Sequence, residues 1–120
     1  MMKKTLVIGA SLNPTRYSNI AIKRLADKQV EVVAIGLRSG SVLGVVVGTE
    51  KTTFTAIDTV TLYLNPERQK AYYEYIISLK PRRVIFNPGT ENKEFYALLL
   101  ANKIEYEVAC TLVLLSTDQY

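Results

Sequence analysis

Short apolar runs alternate with stretches of helical spacing along this 120-residue chain. That alternation restricts the fold more than any single motif does. Residues 5–8, "TLVI", are too few for a helix and fit a strand buried on both faces. Gly9 ends the run. A helix is expected over residues 20–28, with Ser18 as its cap. Ala21, Ile22, Leu25 and Ala26 fall at helical spacing, and Lys23, Arg24 and Lys28 come late, where cations suit the helix dipole. "VEVVAI", residues 30–35, is the second strand, so the opening of the chain reads as a βαβ unit. The middle holds four glycines and no helical period; residues 45–47 are a short candidate strand there and the rest is loop. "TVTLYL", residues 59–64, is β-branched and apolar, hence a strand. Next comes a helix with Asn65 as cap, Pro66 in its first turn, a Tyr72, Tyr75, Ile76, Leu79 stripe, and Pro81 as its stop. "RVIF" is a strand, a helix capped by Thr90 buries Phe95, Leu98 and Leu99, "YEVA" is the last strand, and a short helix or an apolar tail closes the chain, the helix being preferred.

Strands alternating with helices predict an α/β domain. We expect a Rossmann-like, doubly wound, mostly parallel sheet of about five strands with helices on both faces, and residues 1–120 forming one domain. Composition narrows what such a domain can do. There is no histidine and one cysteine, Cys110, which removes Ser-His-Asp and Cys-His chemistry, an intrachain disulfide and a Cys-rich zinc site. No metal site is expected. The longest apolar run falls short of a bilayer span, and the apolar segment after Lys3 and Lys4 suits a buried strand better than a signal peptide, so a cytoplasmic protein with no membrane contact is expected. The net charge of +4 suits a polyanionic partner. No Lys/Arg run exceeds two residues, which argues against a dedicated nucleic-acid surface.

In a sheet of this kind ligands bind beyond the carboxyl ends of the strands, where strand order reverses. The loops there are "GASLNPTRYSN", "GLRSGS", "NPER" and "NPGTEN". The first has one glycine, Gly9, in place of a G-x-G-x-x-G run. Arg16, Ser11, Ser18 and Asn19, with the start of the following helix, make a phosphate cradle built partly from side chains. The competing reading is that Gly9 only turns the chain, Ser18 only caps and Arg16 is solvated. After the second strand, where an NAD site places an acid for the ribose, the residues are Gly36, Leu37 and Arg38. An arginine suits a ribose phosphate, either the 2′-phosphate of NADP or the 3′-phosphate of coenzyme A. Glu91 is expected at a helix start, Asp58 at the amino end of a strand away from the chemistry, and Cys110 as a structural thiol.

Taken together, "VIGASLNPTRYSN", "TLYLNPERQ", "NPGTEN" and "EVACTLVLLST" resemble the small single-domain CoA-binding proteins, which are Rossmann-like and related to the CoA-binding domain of the succinyl-CoA synthetase α subunit. The resemblance runs in order over nearly the whole chain. It implies binding of coenzyme A or an acyl-CoA through the nucleotide end. By position, Gly9, Ala10, Ser11, Leu12 and Arg16 would line the pyrophosphate, with Ser18 and Asn19 helping at the helix start. Leu37 and Arg38 would meet the adenosine and its phosphate, and Leu64, Asn65 and Pro66 would close the adenine side. Asn87, Pro88, Gly89, Glu91 and Asn92 correspond to the family's loop after the next strand. The larger synthetases act through a histidine that this chain lacks, so a binding or regulatory module without catalysis is expected. A homodimer or another protein partner is left open. The alternative is a minimal NADP-dependent oxidoreductase, disfavoured because the chain leaves no room for a substrate domain and its second βαβ half looks barely present.

Overall fold

The computed structural model of the protein describes residues 3–120. Its first unit is β1 (Thr5–Ala10), α1 (Tyr17–Asp27) and β2 (Val32–Gly36). Next come two short strands, β3 (Gly40–Val42) and β4 (Val45–Gly48), and then β5 (Thr59–Leu62). After β5 the chain runs through α2 (Pro66–Gln69), a 3-10 turn at Lys70–Tyr72 and α3 (Tyr73–Leu79). It ends with β6 (Arg83–Phe86), α4 (Lys93–Ala101), β7 (Glu105–Val108) and α5 (Thr111–Ser116).

The strands form one seven-stranded sheet in the order β3-β4-β2-β1-β5-β6-β7. All pairings are parallel except β3 with β4. The six parallel strands therefore take the order of the classical dinucleotide fold, with the reversal between β1 and β5. This corrects two expectations: the sheet exceeds five strands, and the second βαβ half is fully present as β5, β6 and β7. The added strands are a hairpin. Its two-residue turn, Leu43–Gly44, has φ of 47° and 79°, the mirror-image geometry that matches the twist of paired strands. Val42 and Val47 point into the core from the two arms and anchor the hairpin.

Helices cover both faces. α3 and α4 deliver Ile76, Phe95 and Leu99 against Leu6, Ile8, Val60, Leu62, Val84 and Phe86. On the other face α1 and α5 deliver Ile22, Leu25 and Leu115 against Val7, Ala34 and Val47. Burial of alternate strand residues on both faces explains why β1, β5 and β6 read as nearly continuous apolar runs. The threonines of β5 are fully buried but bonded: Thr59 Oγ1 accepts from Arg83 Nε at 2.9 Å, and Thr61 Oγ1 accepts from Asn87 Nδ2 at 2.7 Å.

Several helix boundaries differ from the sequence-based expectation. α1 starts at Tyr17, and its N-cap is Arg16 rather than Ser18. The long helix after β5 is broken by the 3-10 turn. α4 is capped by Asn92, not Thr90, through Asn92 Oδ1 accepting from Phe95 N at 3.2 Å. Asn65 does cap α2, accepting from Arg68 N at 2.9 Å, with Pro66 at its first position.

Candidate functional site

A cleft of about 680 Å³ opens beyond the carboxyl ends of β1, β2, β5 and β6, over the β1–β5 reversal. Its first wall is the loop after β1: Gly9, Ala10, Ser11, Leu12 and Asn13, then Arg16, Tyr17 and Ser18. Gly9 has φ of +90°, and a Cβ there would lie 2.9 Å from the Tyr63 carbonyl carbon. The close approach that this glycine permits is thus to the neighbouring strand exit.

The loop is held to α1 by one residue, Ser11, whose backbone N–H and C=O are both bonded to side chains of the helix. Ser11 N donates to Ser18 Oγ at 3.1 Å, and Asn19 Nδ2 donates to the Ser11 carbonyl at 2.9 Å. Both Ser18 and Asn19 are buried by this role. Ser18 still lines the cleft; Asn19 does not. With Ser18 engaged on the loop and no side-chain cap from Arg16, the first turn of α1 keeps its N–H groups free toward the cleft. Three other helix starts meet a side-chain acceptor: Asn65 caps α2, Asn92 caps α4, and Asn87 Oδ1 accepts from Thr111 N at 2.8 Å at the start of α5, while α3 runs on from the 3-10 turn without a side-chain cap.

The second wall is Ile35, Gly36, Leu37 and Arg38. A Cβ on Gly36 would sit 2.2 Å from the Ala10 carbonyl oxygen, so this position must be glycine for β1 and β2 to end side by side. The third wall is Tyr63, Leu64, Asn65, Arg68 and Tyr72, and the fourth is Pro88, Gly89 and Thr90. Four further expected residues stand outside the cleft, each with a structural task. Pro66 starts α2. Asn87 is buried and ties β5, β6 and α5 through Thr61, Leu62 and Thr111. Glu91 precedes α4, and its Oε1 accepts from Gly89 N at 2.8 Å. Asn92 caps α4.

Sequence reasoning missed Asn13, Tyr17, Ile35, Gly36, Tyr63, Arg68, Tyr72 and Thr90 as lining residues. Tyr72 was read as part of a regular helix, and the 3-10 turn that places it at the cleft has no clear sequence signal. Arg68 had one: it lies at the third position of a capped helix leaving a strand exit, so it must sit near the site.

The electrostatics of the cleft have one sign. Three arginines, Arg16, Arg38 and Arg68, line it and no aspartate or glutamate does. None of the three is in an ion pair among the described residues. The carboxylates are spent elsewhere. Asp58 binds Arg82 through two hydrogen bonds at 2.9 and 3.2 Å, far from the cleft at the amino end of β5. Its burial, which raises the pKa, is outweighed by the Arg82 and Thr59 contacts, which hold it below the usual aspartate value. Cys110 is partly buried and does not line the cleft. The Tyr63 hydroxyl is buried without a hydrogen-bond partner among the described residues, and burial pushes its pKa up to about 12.

No described helix is long and apolar enough to cross a membrane, and no described cluster of His, Cys, Asp or Glu could hold a metal ion.

Residues 3–116 match a protein family described as a CoA binding domain. A crystal structure described only as that of an uncharacterized protein shares 47% identity with a TM-score of 0.96, covering 100% of this chain and 99% of its own. Two more distant structures share the fold. A hypothetical protein from Pyrococcus horikoshii OT3 is 24% identical with a TM-score of 0.84, covering 93% of this chain and 80% of its own. A Thermus thermophilus protein is 17% identical with a TM-score of 0.86, covering 99% and 91%. No curated protein matches the chain.

Proposed function

We propose, from the premise that this chain belongs to the CoA-binding domain family, that the cleft holds coenzyme A or an acyl-CoA by its nucleotide end and that the protein is a binding or regulatory module. The observation that carries this reading is the uncapped start of α1 beside three arginines free of carboxylates. Such an arrangement favours a ligand with several phosphate charges.

The residues divide by position. The α1 N–H groups and Arg16 suit the diphosphate, with the Ser11 backbone held in place by Ser18 and Asn19. Arg38, at the β2 exit, suits the ribose 3′-phosphate. Leu12, Leu37 and Leu64 offer apolar surface to the adenine. Arg68 joins this set from the third wall. No lysine, histidine, cysteine, aspartate or glutamate lines the cleft, which is why we favour binding over catalysis. We further propose that residues 1–120 form one domain acting in the cytoplasm.

NADP is the second reading, favoured by one observation. The complete second half, β5 to β7, gives the sheet the strand order of dinucleotide-binding domains. Calorimetric titration with CoA, dephospho-CoA, NADP and ATP separates the two. Selective micromolar binding of CoA, weakened for dephospho-CoA, is the expected result. Binding of NADP in preference to CoA would overturn the CoA reading, and equal binding of CoA and dephospho-CoA would remove Arg38 from the 3′-phosphate.

A further inference from the structure

Gln69 is the last residue of α2, and its side chain is completely buried. It does not line the cleft. Its Nε2 donates twice, to the Leu64 carbonyl at 2.8 Å and to the Thr90 carbonyl at 2.8 Å. Leu64 stands in the loop that leaves β5 and Thr90 in the loop that leaves β6, and both line the cleft. Gln69 Oε1 accepts from Asn92 Nδ2 at 2.9 Å, and Asn92 Nδ2 also donates to Tyr73 Oη at 2.8 Å. Both amide protons and the carbonyl are therefore used. A primary amide at this reach is the side chain that can give two protons to two carbonyls and still accept one. Neither loop is regular structure, and no backbone–backbone hydrogen bond joins Leu64 to Thr90 among those described. Gln69 is a direct polar link between Leu64 and Thr90, above the tie that Asn87 makes between β5 and β6.

We infer that Gln69 is the positioning residue of this cleft: by bonding the Leu64 and Thr90 carbonyls to one amide, it fixes the spacing of the β5 and β6 exit loops in the geometry that accepts the ligand. The inference rests on the CoA reading above and adds that affinity depends on a side chain the ligand never touches. A wall held in place before binding loses less freedom on binding. By reciprocity, a ligand that prefers the braced cleft must itself tighten the brace.

The test compares CoA titrations of the wild-type protein with Gln69→Met, of similar length without donors, and Gln69→Glu, of similar shape with acceptors in place of the amide donors. Each is measured well below its own unfolding temperature, so that all molecules are folded. Both variants are expected to bind CoA about tenfold more weakly or worse, within the range seen for residues that couple to a site without contacting it. Affinities within twofold of wild type in the folded variants would overturn the inference and leave the CoA reading intact. Absence of CoA binding by the wild-type protein would overturn both. A second measurement needs no variant. In the unaltered protein, exchange of the Gln69 amide protons with solvent, followed by NMR, should slow severalfold when CoA saturates the cleft. Slowing no greater than that of buried backbone amides remote from the cleft would overturn the inference, because a role confined to holding the fold predicts only the uniform slowing that ligand binding gives to every group exchanging by global unfolding.

Discussion

Two glycines at the cleft do different work, and single-residue substitution should separate them. Gly36 has no space for a side chain, because a Cβ would collide with the backbone oxygen of Ala10. Gly89 has open space around the missing Cβ but a φ of +92°. Gly36→Ala must push β1 and β2 apart and is expected to cost about 3 kcal/mol or more of stability, at or above the top of the usual range for overpacking. Gly89→Ala pays only for a left-handed backbone, ~1–2 kcal/mol. Urea unfolding of the two variants checks the order. The sequence marked Gly36 only by the acid absent near it; that it carries the junction of two strands depends on Ala10, which no local pattern links to it. Arg16 and Arg38, by contrast, were legible, because their place follows from being in the first residues after strands. Asn19, Asn87 and Asn92 were legible as polar residues in the right loops but not as buried ones, since burial depends on which carbonyl or helix end each one meets.

At the scale of elements, the alternation of strand and helix was readable from periodicity alone, and so were α1, β5 and β6; the closing apolar segment left a helix or a tail open, and it is α5. Of the β3–β4 hairpin, β4 was readable as the short apolar run at residues 45–47, but β3 and the pairing were not, because the turn is Leu43–Gly44 rather than the Asn-Gly or Asp-Gly that usually marks such geometry. The caps divide in the same way. Asn65 precedes Pro66 and announces α2, whereas the true cap of α4 lies two residues past Thr90, because Thr90 is occupied with the Asn87 carbonyl at 2.7 Å. These caps carry a prediction. Asn65→Ala removes one bond at a helix start and is expected to cost about 1 kcal/mol. Asn92→Ala removes a cap and also a donor to Gln69 and to Tyr73, so it should cost distinctly more than Asn65→Ala. Thermal and urea unfolding of the pair would show this, and equal losses would mean that Asn92 acts as a cap only.

For the whole molecule, alkaline pH is the informative variable. Burial raises the Tyr63 and Tyr75 phenols from 10 to about 12, and it also raises Tyr120, whose hydroxyl is bonded to Thr5 Oγ1. Below pH 10 these groups are protonated in both folded and unfolded chains. Between about pH 10 and 12 the unfolded chain gives up protons that the fold retains, so stability should fall as pH rises through this window. Tyr63→Phe removes one of these groups and an unpartnered hydroxyl together. It should leave stability near neutral pH about unchanged or slightly raised and flatten the alkaline decline, as read from unfolding curves at a series of pH values. A stability loss of several kcal/mol at neutral pH would show that the hydroxyl is bonded.

The topology also bears on how the chain reaches its folded form. β1 pairs with β2 across one short crossover, but its other partner, β5, is far along the chain, Thr5 lying beside Thr59. Closing that longer loop is the slower step of assembly, since its entropy must be lost before any contact rewards it. The cleft straddles this seam, with Arg16 and Arg38 on one side and Leu64 and Thr90 on the other. Until the seam closes there are two half-walls and no site. A ligand that needs both has little affinity for incomplete chains, so its binding free energy counts wholly toward the finished fold. Ligand supply then governs the lifetime of the folded molecule as well as its occupancy.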